Sequence, residues 1–522
     1  MRRAAVATAM AGVLVGALLA PPAASHDHDL RIPHAMLHPH PPVPDIPRGV
    51  TAPEDRISPA ADAGGSATVH LSDGRYVSAS PGAARIFRTG VGAGEPTLGV
   101  TKDGSIFFQA LDGPPKVLRT KDGGKTWDDV SPRIGERQAH PNSLDPYIYV
   151  DPDTDRIFTY DFLFGCSEIS FSDDGGESWT TTVLNCSLMD HQNLFAGPPV
   201  HSPTVGYENV VYTCSTQFGA TIYSVAAECL KSLDGGLTWA PTGSLPYTTD
   251  LQDENDLGID GYCHGAVGHG HVARDGTVYL PKGLCGQPWL AISRDEGLTW
   301  ERVQVADNGV PQTAIGVYEH ETAVTTDPKG NVYYFWIGAD RLPYLSISRN
   351  GGAEWSKPMM IGPPGIKEST LPKIEAGETG KIAIVYYAST NSPGKPFPQA
   401  DDCKPDMAGC FGELFFLNPP DPERYEKVTW NGYMTLSANA LDAKPRFHTA
   451  MINDPDDPLV RGTCGPIRCK SVYDFIDVVI DKAGRAWTSM VDICIEACAA
   501  KGPNNLGDEG ILGTVVGGPK LR

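Results

Sequence analysis

The chemically most suggestive residues are four histidines and a glutamate in and after a glycine-rich stretch of the chain. They are His264, His269, His271, His320 and Glu321. Imidazole rings combined with carboxylates bind first-row divalent metal ions. Histidines that hydrogen-bond to their neighbours without a metal are the alternative interpretation, and we favour it. We therefore predict no required cofactor, and a bound divalent metal at these histidines stays open.

A repeated octet identifies the elements that must position these residues. The pattern Ser/Thr-x-Asp-x-Gly-x-Ser/Thr-Trp occurs four times in full and once in degenerate form. The five copies are residues 120–127, 172–179, 232–239, 293–300 and 348–355. Their tryptophans follow one another at intervals of 52, 60, 61 and 55 residues. This regular spacing indicates a repeat architecture.

The residue types of the octet predict a tight turn between two strands. The aspartate and the hydroxyl residues hydrogen-bond to nearby backbone N–H groups, and glycine adopts positive φ. The tryptophan begins the next strand and is expected to be buried beneath the turn. The conspicuous octet residues are therefore predicted to be structural and not catalytic. They are Asp122, Trp127, Asp174, Trp179, Asp234, Trp239, Asp295, Trp300, Asn350 and Trp355.

A second turn, usually Asp-Gly, precedes each octet and leads into an apolar strand. Each unit then has four antiparallel strands, the composition of a β-propeller blade. Two units without an octet follow at 371–426 and 473–516, and 67–88 carries strand-like runs that could supply the outer strand of the last unit. The predicted fold class is all-β, a single β-propeller of four-stranded antiparallel blades. Seven blades are favoured, and six stay open.

In a propeller, the first strand of each blade borders the central channel. Polar residues at the starts of these strands are therefore candidates for a binding site at the channel mouth. They are Glu95, Asp145, Asp190, His191, His269, His271, His320, Glu321, Lys373, Asp474 and Asp477.

The octet resembles the Asp-box, or BNR repeat, and Asp-boxes on an exported propeller resemble the sialidase superfamily of exo-glycosidases. This resemblance implies functional residues at matching positions. Arg88 stands where sialidases carry the arginine that clamps the sialic acid carboxylate, although Thr89-Gly90 replaces the Ile-Pro found there. Tyr473 matches the tyrosine nucleophile, although Asp474 replaces the usual serine.

Sialidase chemistry requires further residues. Three arginines converge on one carboxylate, because bidentate guanidinium pairs select planar anions. A carboxylate must deprotonate the tyrosine, whose free pKa is about 10, and an aspartic acid must protonate the leaving oxygen. Asp112 is the candidate acid, and Arg341, Arg446 and Arg461 are the candidates for the remaining arginines.

These observations favour an exported, sialidase-like propeller that binds a carbohydrate or another polar ligand at the channel mouth. If the bound carbohydrate is also cleaved, the protein is an exo-glycosidase. The alternative is a non-catalytic binding or scaffold propeller, such as an assembly factor, because a fold does not determine a function. A third interpretation is another glycan-directed hydrolase or lyase on the same platform.

The chain divides into three parts. Residues 1–25 have the layout of a secretory signal peptide, with two arginines, an uncharged run at 4–20 and a small-residue end. Residues 26–66 are predicted to be a flexible segment rich in proline and histidine. Residues 67–522 are predicted to form the propeller. We therefore expect a secreted, extracellular protein.

The cysteines agree with export. All 12 follow the leader, and an even number in an exported chain predicts disulfides. The simplest pairing joins near neighbours. These pairs are Cys166 with Cys186, Cys214 with Cys229, Cys263 with Cys285, Cys403 with Cys410, Cys464 with Cys469 and Cys494 with Cys498.

Composition excludes other classes of partner. Asp and Glu number 63 against 42 Lys and Arg, a formal net charge of −21, which repels phosphate backbones and excludes a general nucleic-acid binder. After the leader, no stretch is apolar enough to cross a bilayer, so we expect no transmembrane helix. The predicted partner is a glycan or other polar ligand, and the predicted oligomeric state is a monomer.

Overall fold

The computed structural model of the protein describes most of the chain beyond residue 75 and three short stretches before it. The described residues are 50–51, 56–57, 67–70, 76–111, 115–134, 137–138, 143, 145–162, 166–186, 189–218, 225–247, 266–284, 287–307, 322–338, 340–392, 427–462, 472, 474–495, 498 and 508–522. They belong to one compact unit that runs from Val43 to Arg522.

Four strands precede the first blade. They are β1 (Val50–Thr51), β2 (Arg56–Ile57), β3 (Ala67–His70) and β4 (Tyr76–Gly92). Although β1 and β2 lie within the segment predicted to be flexible, β1 pairs with the outer strand of blade 1, and β2 pairs with β4. The N-terminal strands are thus attached to the outside of the propeller.

The first four blades follow in chain order, and each is an antiparallel meander. Blade 1 contains β5 (Gly94–Val100), β6 (Ile106–Leu111), β7 (Lys116–Thr120) and β8 (Thr126–Asp129). A small hairpin of β9 (Arg133–Ile134) and β10 (Arg137–Gln138) follows. Blade 2 contains β11 (Tyr147–Val150), β12 (Ile157–Phe162), β13 (Ser167–Ser172) and β14 (Thr180–Asn185). Blade 3 contains β15 (Met189–Gly197), β16 (Val210–Phe218), β17 (Val225–Ser232) and β18 (Ala240–Pro241). Blade 4 contains β19 (His271–Val272), β20 (Val278–Leu284), β21 (Gln287–Ser293) and β22 (Glu301–Gln304).

Three more blades complete the ring. Blade 5 contains β23 (Thr322–Thr326), β24 (Val332–Ile337), β25 (Pro343–Ser348) and β26 (Met359–Met360). Blade 6 contains β27 (Glu368–Ala376), β28 (Ile382–Ser389), β29 (Thr429–Ser437) and β30 (Arg446–Met451), and β31 (Val460–Arg461) pairs with β29. Blade 7 contains β32 (Asp477–Ile480), β33 (Ala486–Asp492) and β34 (Glu509–Val516), with β4 as its outer strand.

The long strand β4 closes the ring. Its second half pairs antiparallel with β34, so the N-terminal part of the chain completes the last blade. Its first half runs parallel to β30 and therefore also attaches to blade 6. The prediction of an all-β propeller with seven four-stranded antiparallel blades is confirmed, and the open possibility of six blades is excluded.

The hydrophobic core lies between the blades. Second strands are buried on both faces, because a neighbouring blade covers each face. In β24 (Val-Tyr-Tyr-Phe-Trp-Ile) and β28 (Ile-Ala-Ile-Val-Tyr-Tyr-Ala-Ser), every residue is buried. The β-branched and aromatic side chains of these strands suit a pleated surface that is covered on both sides. This packing fixes the blades around the channel.

The octets form the turns between the third and fourth strands. In the first octet, Oδ1 of Asp122 accepts the backbone N–H of Thr126 at 2.9 Å, and the Thr126 hydroxyl donates to Oδ2 at 2.7 Å. The second, third and fourth octets repeat both bonds. In the fifth, Asn350 Oδ1 accepts the N–H of Glu354 at 2.9 Å. These are the structural turns that the residue types predict.

Burial of the octet tryptophans needs a correction. Trp127 is 1% exposed, but Trp179, Trp239, Trp300 and Trp355 are only half-buried. Trp127 lies on β8, which β1 covers through pairing at Trp127 itself. In blades 2 to 5, the described sheets end at their fourth strand, so one side of each of those indoles stays open to solvent.

Three of the predicted disulfides lie within the described residues and are confirmed. They join Cys166 to Cys186, Cys214 to Cys229 and Cys494 to Cys498. The pairs predicted for Cys263 with Cys285, Cys403 with Cys410 and Cys464 with Cys469 lie outside the described residues. Within the described part of the chain, no helix has the length and hydropathy needed to cross a membrane.

Candidate functional site at the channel mouth

Three inner strands carry a β-bulge at the end of the channel where the inner strands begin, here called the mouth. In β5, β15 and β27, the register against the second strand shifts by one residue. Each bulge holds one residue at positive φ, namely Glu95 at 51°, His191 at 53° and Leu371 at 55°. Side chains of these types rarely adopt that conformation, and such strain concentrates at functional sites. A bulge also changes the direction in which a side chain points.

Two of the bulged residues meet a residue of blade 7. Nε2 of His191 lies 3.2 Å from Oδ2 of Asp474, and the backbone N–H of Asp474 donates to Oε1 of Glu95 at 3.2 Å. The exposed fractions are 1% for Glu95, 4% for His191 and 7% for Asp474. The three residues, here called the mouth cluster, therefore connect blades 1, 3 and 7 across the channel.

Phe475 follows Asp474 and inserts its ring among three other rings. Its centroid is 5.0 Å from that of His191, 5.6 Å from that of His269 and 6.1 Å from that of Tyr147. The contacts are edge-on, a favourable arrangement for aromatic rings. These partners belong to blades 3, 4 and 2, so the segment 474–475 reaches across the channel from blade 7. Phe475 itself is 4% exposed.

A second polar set lies deeper in the channel, beyond Phe475, and is here called the inner layer. The Tyr147 hydroxyl is 3.3 Å from Nδ1 of His269, and Nζ of Lys373 is 3.4 Å from Oδ1 of Asp477. The Lys373 ammonium is also near enough to Tyr147 to influence the pKa of its hydroxyl. These four residues come from blades 2, 4, 6 and 7 and form a chain of contacts that spans the channel.

Asp477 also connects the inner layer to the mouth cluster. Its Oδ2 accepts the backbone N–H of Leu98 at 3.0 Å. Leu98 and Asp477 each stand three residues after a member of the mouth cluster, Glu95 and Asp474 respectively. This hydrogen bond therefore joins β5, which carries Glu95, to the first residue of β32, which follows Asp474.

Burial and nearby charge determine the protonation states of the inner layer. Burial, with smaller contributions from Lys373 and His191, lowers the pKa of His269 well below its usual range. Burial and Lys373 lower the pKa of His271 to about 4. Burial lowers the pKa of Lys373, but Asp477, Tyr147 and Glu375 together outweigh that effect, and the net pKa is raised. Near neutral pH, both histidines are therefore neutral and Lys373 is cationic.

Glu375 is the next inward-facing residue of β27, and burial raises its pKa to about 7 although Lys373 opposes the rise. Its side chain is half-buried, and the protein around it lowers the local polarity. Burial raises the pKa of Tyr147 to about 12, so this phenol stays protonated at neutral pH.

Arg88, the predicted carboxylate clamp, lies on β4 and not on an inner strand. Its guanidinium donates to Glu509 at 2.6 Å and to Asp492 at 2.9 Å, and it lies 3.7 Å from Asp457. Burial raises the pKa of Asp492 to about 6, against the opposing effect of Arg88. Because three carboxylates already surround Arg88, it is poorly suited to attract the carboxylate of a ligand.

The other candidate arginines have separate partners. Arg341 donates from Nε to Glu368 at 3.1 Å on the connection between β24 and β25 of blade 5. Arg461 donates from Nε to the carbonyl oxygen of Cys498 at 3.0 Å. Arg446 is exposed at the first residue of β30, an outer strand. The structure therefore holds Arg88, Arg341, Arg446 and Arg461 in four different surroundings.

Several candidates lie outside the described residues. They are Tyr473, Asp112, His264, His320 and Glu321. Among the residues that the structure describes, no group of three or more His, Cys, Asp or Glu side chains is arranged to hold a metal ion. The metal interpretation depends on His264 and His320 and stays a prediction, as do the catalytic roles of Tyr473 and Asp112.

Most of the described residues that were predicted at the starts of inner strands lie at or just before those starts. They are Glu95, Asp145, Asp190, His191, His269, His271, Asp474 and Asp477. Lys373 lies further along its strand, at the sixth residue of β27. Sequence reasoning missed Tyr147 and Phe475, whose apolar rings resemble ordinary core residues in a sequence. The signal for Phe475 was its position between Asp474 and Asp477, the aspartate that begins the inner strand β32.

The mouth cluster offers two carboxylates and one imidazole in a confined, largely dehydrated position. Carboxylate oxygens accept hydrogen bonds from hydroxyl groups, and an imidazole can donate or accept one. In a setting of low polarity, such bonds are stronger than in water. Two carboxyl groups are also the residue types with which most glycoside hydrolases transfer protons.

No protein-family model matches the sequence, and no curated protein matches it. Among solved structures, a Dyadobacter fermentans protein of unknown function shares 14% identity, with coverage of 81% of this chain and 95% of that chain and a TM-score of 0.39. A Penicillium chrysogenum α-L-arabinanase complexed with arabinobiose shares 12% identity, with coverage of 65% and 94% and a TM-score of 0.36. A Hadza microbial sialidase shares 15% identity, with coverage of 57% and 64% and a TM-score of 0.36. At these scores the likeness carries no argument about function.

Proposed function

We propose that the protein binds a neutral, hydroxyl-rich ligand, a carbohydrate, at the channel mouth through Glu95, His191 and Asp474. The observation that carries this proposal is the convergence of these three side chains from three blades. Two of them occupy positive-φ bulges that an ordinary inner strand would not need. Strain of this kind persists only where the surrounding structure holds it, and it marks functional positions.

The charge at the mouth selects among carbohydrates. Glu95 and Asp474 supply two carboxyl groups, and the nearest described cation of the inner layer, Lys373, is paired with Asp477. Arg88 is occupied by Asp492 and Glu509. An anionic sugar such as sialic acid would therefore meet repulsion that none of the four candidate arginines within the described residues is placed to offset. This argues for neutral sugars in place of the sialosides that the octet resemblance implies.

The proposed location is outside the cell. Residues 1–25 have the composition of a leader, and the described cysteines are paired. Disulfides persist in oxidising compartments. Polysaccharides and glycans are abundant ligands in that setting, and no partner chain is needed for the mouth cluster, which one chain builds alone. We propose a secreted monomer.

The first test is binding of the wild-type protein to an array that contains neutral oligosaccharides and sialosides. We expect retention of neutral glycans and weak or no retention of sialosides. In Glu95→Gln and Asp474→Asn, affinity should fall by about 10- to 100-fold, because hydrogen bonds to a charged group contribute about 1.5–3 kcal/mol. Thermal unfolding of each variant shows that the loss is not a loss of folded protein.

A matched control is Glu301→Gln, which removes an exposed carboxylate from the outer strand of blade 4 and should leave binding unchanged. Preference for sialosides, or equal affinity of Glu95→Gln and wild type, would contradict the proposal. The same ligands also test for turnover. Release of a sugar that is lost in Glu95→Gln or Asp474→Asn would show a hydrolase, and binding without release would show a non-catalytic module.

A further inference from the structure

Phe475 separates two polar regions of the same channel. On its outer side lies the mouth cluster, with His191 only 5.0 Å from the Phe475 ring centroid. On its inner side lie Tyr147 and His269, whose rings also contact it. The ring comes from blade 7 and touches blades 2, 3 and 4, so it stands in the middle of the channel and not against one wall.

The histidines show how access changes along the channel. His269, in contact with Phe475, is 7% exposed, whereas His271, two residues further along the strand direction, is half-buried and keeps accessible surface. Glu375 is also half-buried. Accessible surface therefore remains at His271 and Glu375, whereas Phe475 and His269 are buried where their rings meet.

We propose that Phe475 is a plug that divides the channel into an outer compartment at the mouth and an inner compartment that ligands from the mouth do not enter. The ring is held edge-on by three aromatic partners, and such contacts stabilise one orientation of an aromatic side chain. Asp474, the preceding residue, is bonded to His191 and Glu95 and anchors the backbone of the plug.

The plug determines which part of a ligand the mouth recognises. A ligand that reaches Glu95, His191 and Asp474 stops at Phe475 and cannot thread through the channel. On the basis of the proposed function, the substrate class is then the terminal unit of a neutral glycan and not an internal segment of a chain. Phe475 is thus a specificity-determining residue of the mouth.

The plug itself is tested without any sugar. Diethyl pyrocarbonate transfers an ethoxycarbonyl group to accessible, neutral imidazoles with release of ethanol and carbon dioxide, and peptide mass spectrometry reports the rate at each histidine. In the wild type, His269 should react much more slowly than exposed His201. In Phe475→Ala, its rate should rise by about tenfold or more, because protection reflects how seldom the site opens. His271 should change little, since the inner compartment already reaches it.

Two variants control for loss of packing. Phe475→Leu fills most of the volume and should keep His269 protected. Phe447→Ala removes a fully buried ring from β30, away from the channel, and should leave the rate at His269 unchanged even though it lowers stability. The plug proposal is contradicted if His269 of the wild type reacts as fast as His201. It is also contradicted if His269 stays protected in Phe475→Ala.

Recognition of the terminal sugar unit is tested in a separate experiment. A neutral oligosaccharide that the wild type retains is compared with the same compound methylated on its terminal ring. Methylation should abolish binding to the wild type and should be tolerated by Phe475→Ala. Equal binding of both compounds to the wild type would contradict recognition of the terminal unit. If no neutral glycan binds, the proposed function fails, but the histidine rates still decide whether Phe475 plugs the channel.

Discussion

His191 and Asp474 form a side-chain pair across the channel, with 3.2 Å between Nε2 and Oδ2, although they belong to blades 3 and 7. Their side chains are 4% and 2% exposed. A polar group buried to this degree is costly unless it has a hydrogen-bond partner. The pair therefore stabilises the closed ring in addition to shaping the mouth.

Removal of the Asp474 carboxyl group should reduce stability. Asp474→Ala takes away a buried hydrogen-bond partner of His191, and we expect a loss of about 1–3 kcal/mol in the free energy of unfolding. Urea denaturation of wild type and variant measures it. Glu301→Gln, whose side chain is 56% exposed, should cost much less. Equal losses in both variants would show that the pair does not stabilise the fold.

Glu375 should make stability depend on pH near neutrality. Its folded pKa is about 7, raised by burial from 4.5. Because the folded protein binds this proton more tightly than the unfolded chain, the stabilisation is complete below about pH 4.5 and is lost as the pH rises through 7.

In Glu375→Gln this contribution disappears. The unfolding free energy of the variant should therefore decline less between pH 5 and 8, by about 1–2 kcal/mol, than that of the wild type. Denaturation curves at four pH values in this interval provide the comparison. Asp492, whose pKa is raised to about 6, also makes the unfolding free energy depend on pH. Its contribution is the same in wild type and variant, so it cancels in the comparison. Parallel pH profiles would exclude the assigned role of Glu375.

The octet tryptophans should differ in their contribution to stability. Trp127 is 1% exposed and packs edge-on against Phe108 with 6.1 Å between ring centroids. Trp127→Ala should cost about 3–5 kcal/mol, as other large-to-small changes in a core do. Trp300 is half-buried, so Trp300→Ala should cost clearly less. Thermal unfolding ranks the two, and a larger loss at Trp300 would contradict the exposure seen in the structure.

Arg88 should matter for stability and not for ligand binding. Arg88→Ala leaves Asp492 and Glu509 without their shared cation, and we expect a loss of about 3 kcal/mol at pH 8. Without Arg88 the pKa of Asp492 rises above 6, so the loss shrinks as the pH falls from that raised pKa to about 6 and is smallest below 6. Urea denaturation of wild type and variant at pH 5 and pH 8 tests whether the loss of unfolding free energy is larger at the higher pH.

Arg446→Ala, at an exposed position, is the control and should change stability little. Glycan retention by folded Arg88→Ala should equal that of the wild type. A variant that kept its stability but lost retention would restore the carboxylate-clamp role that the sialidase resemblance implies for Arg88.

Much of the fold could be predicted because its determinants are local. Each octet closes a turn through hydrogen bonds within eight residues, such as those of Asp122 with Thr126, so its residue types can be recognised without any other part of the chain. The repeat intervals then imply the blades. Near-neighbour cysteine pairs such as Cys214 with Cys229 follow for the same reason, since adjacent strands bring them together.

The candidate site was predicted only as a set of positions. The sequence showed that Glu95, His191 and Asp474 stand at or just before the starts of inner strands, and this was enough to place them near one end of the channel. It did not show the bulges, because a one-residue shift in register depends on how a strand meets its neighbour. The separation of Arg88 from the channel was likewise hidden in the pairing of β4 with β34.

Only the tertiary structure decided which polar residues meet. Closure of the ring brings Asp474 to His191 and Glu95, and it inserts Phe475 among rings from three other blades. These contacts join residues hundreds of positions apart. They depend on the number of blades and the width of the channel, which are set by packing between sheets and not by any local pattern. The sequence by itself determined the strands and turns, and the closed ring determined the site.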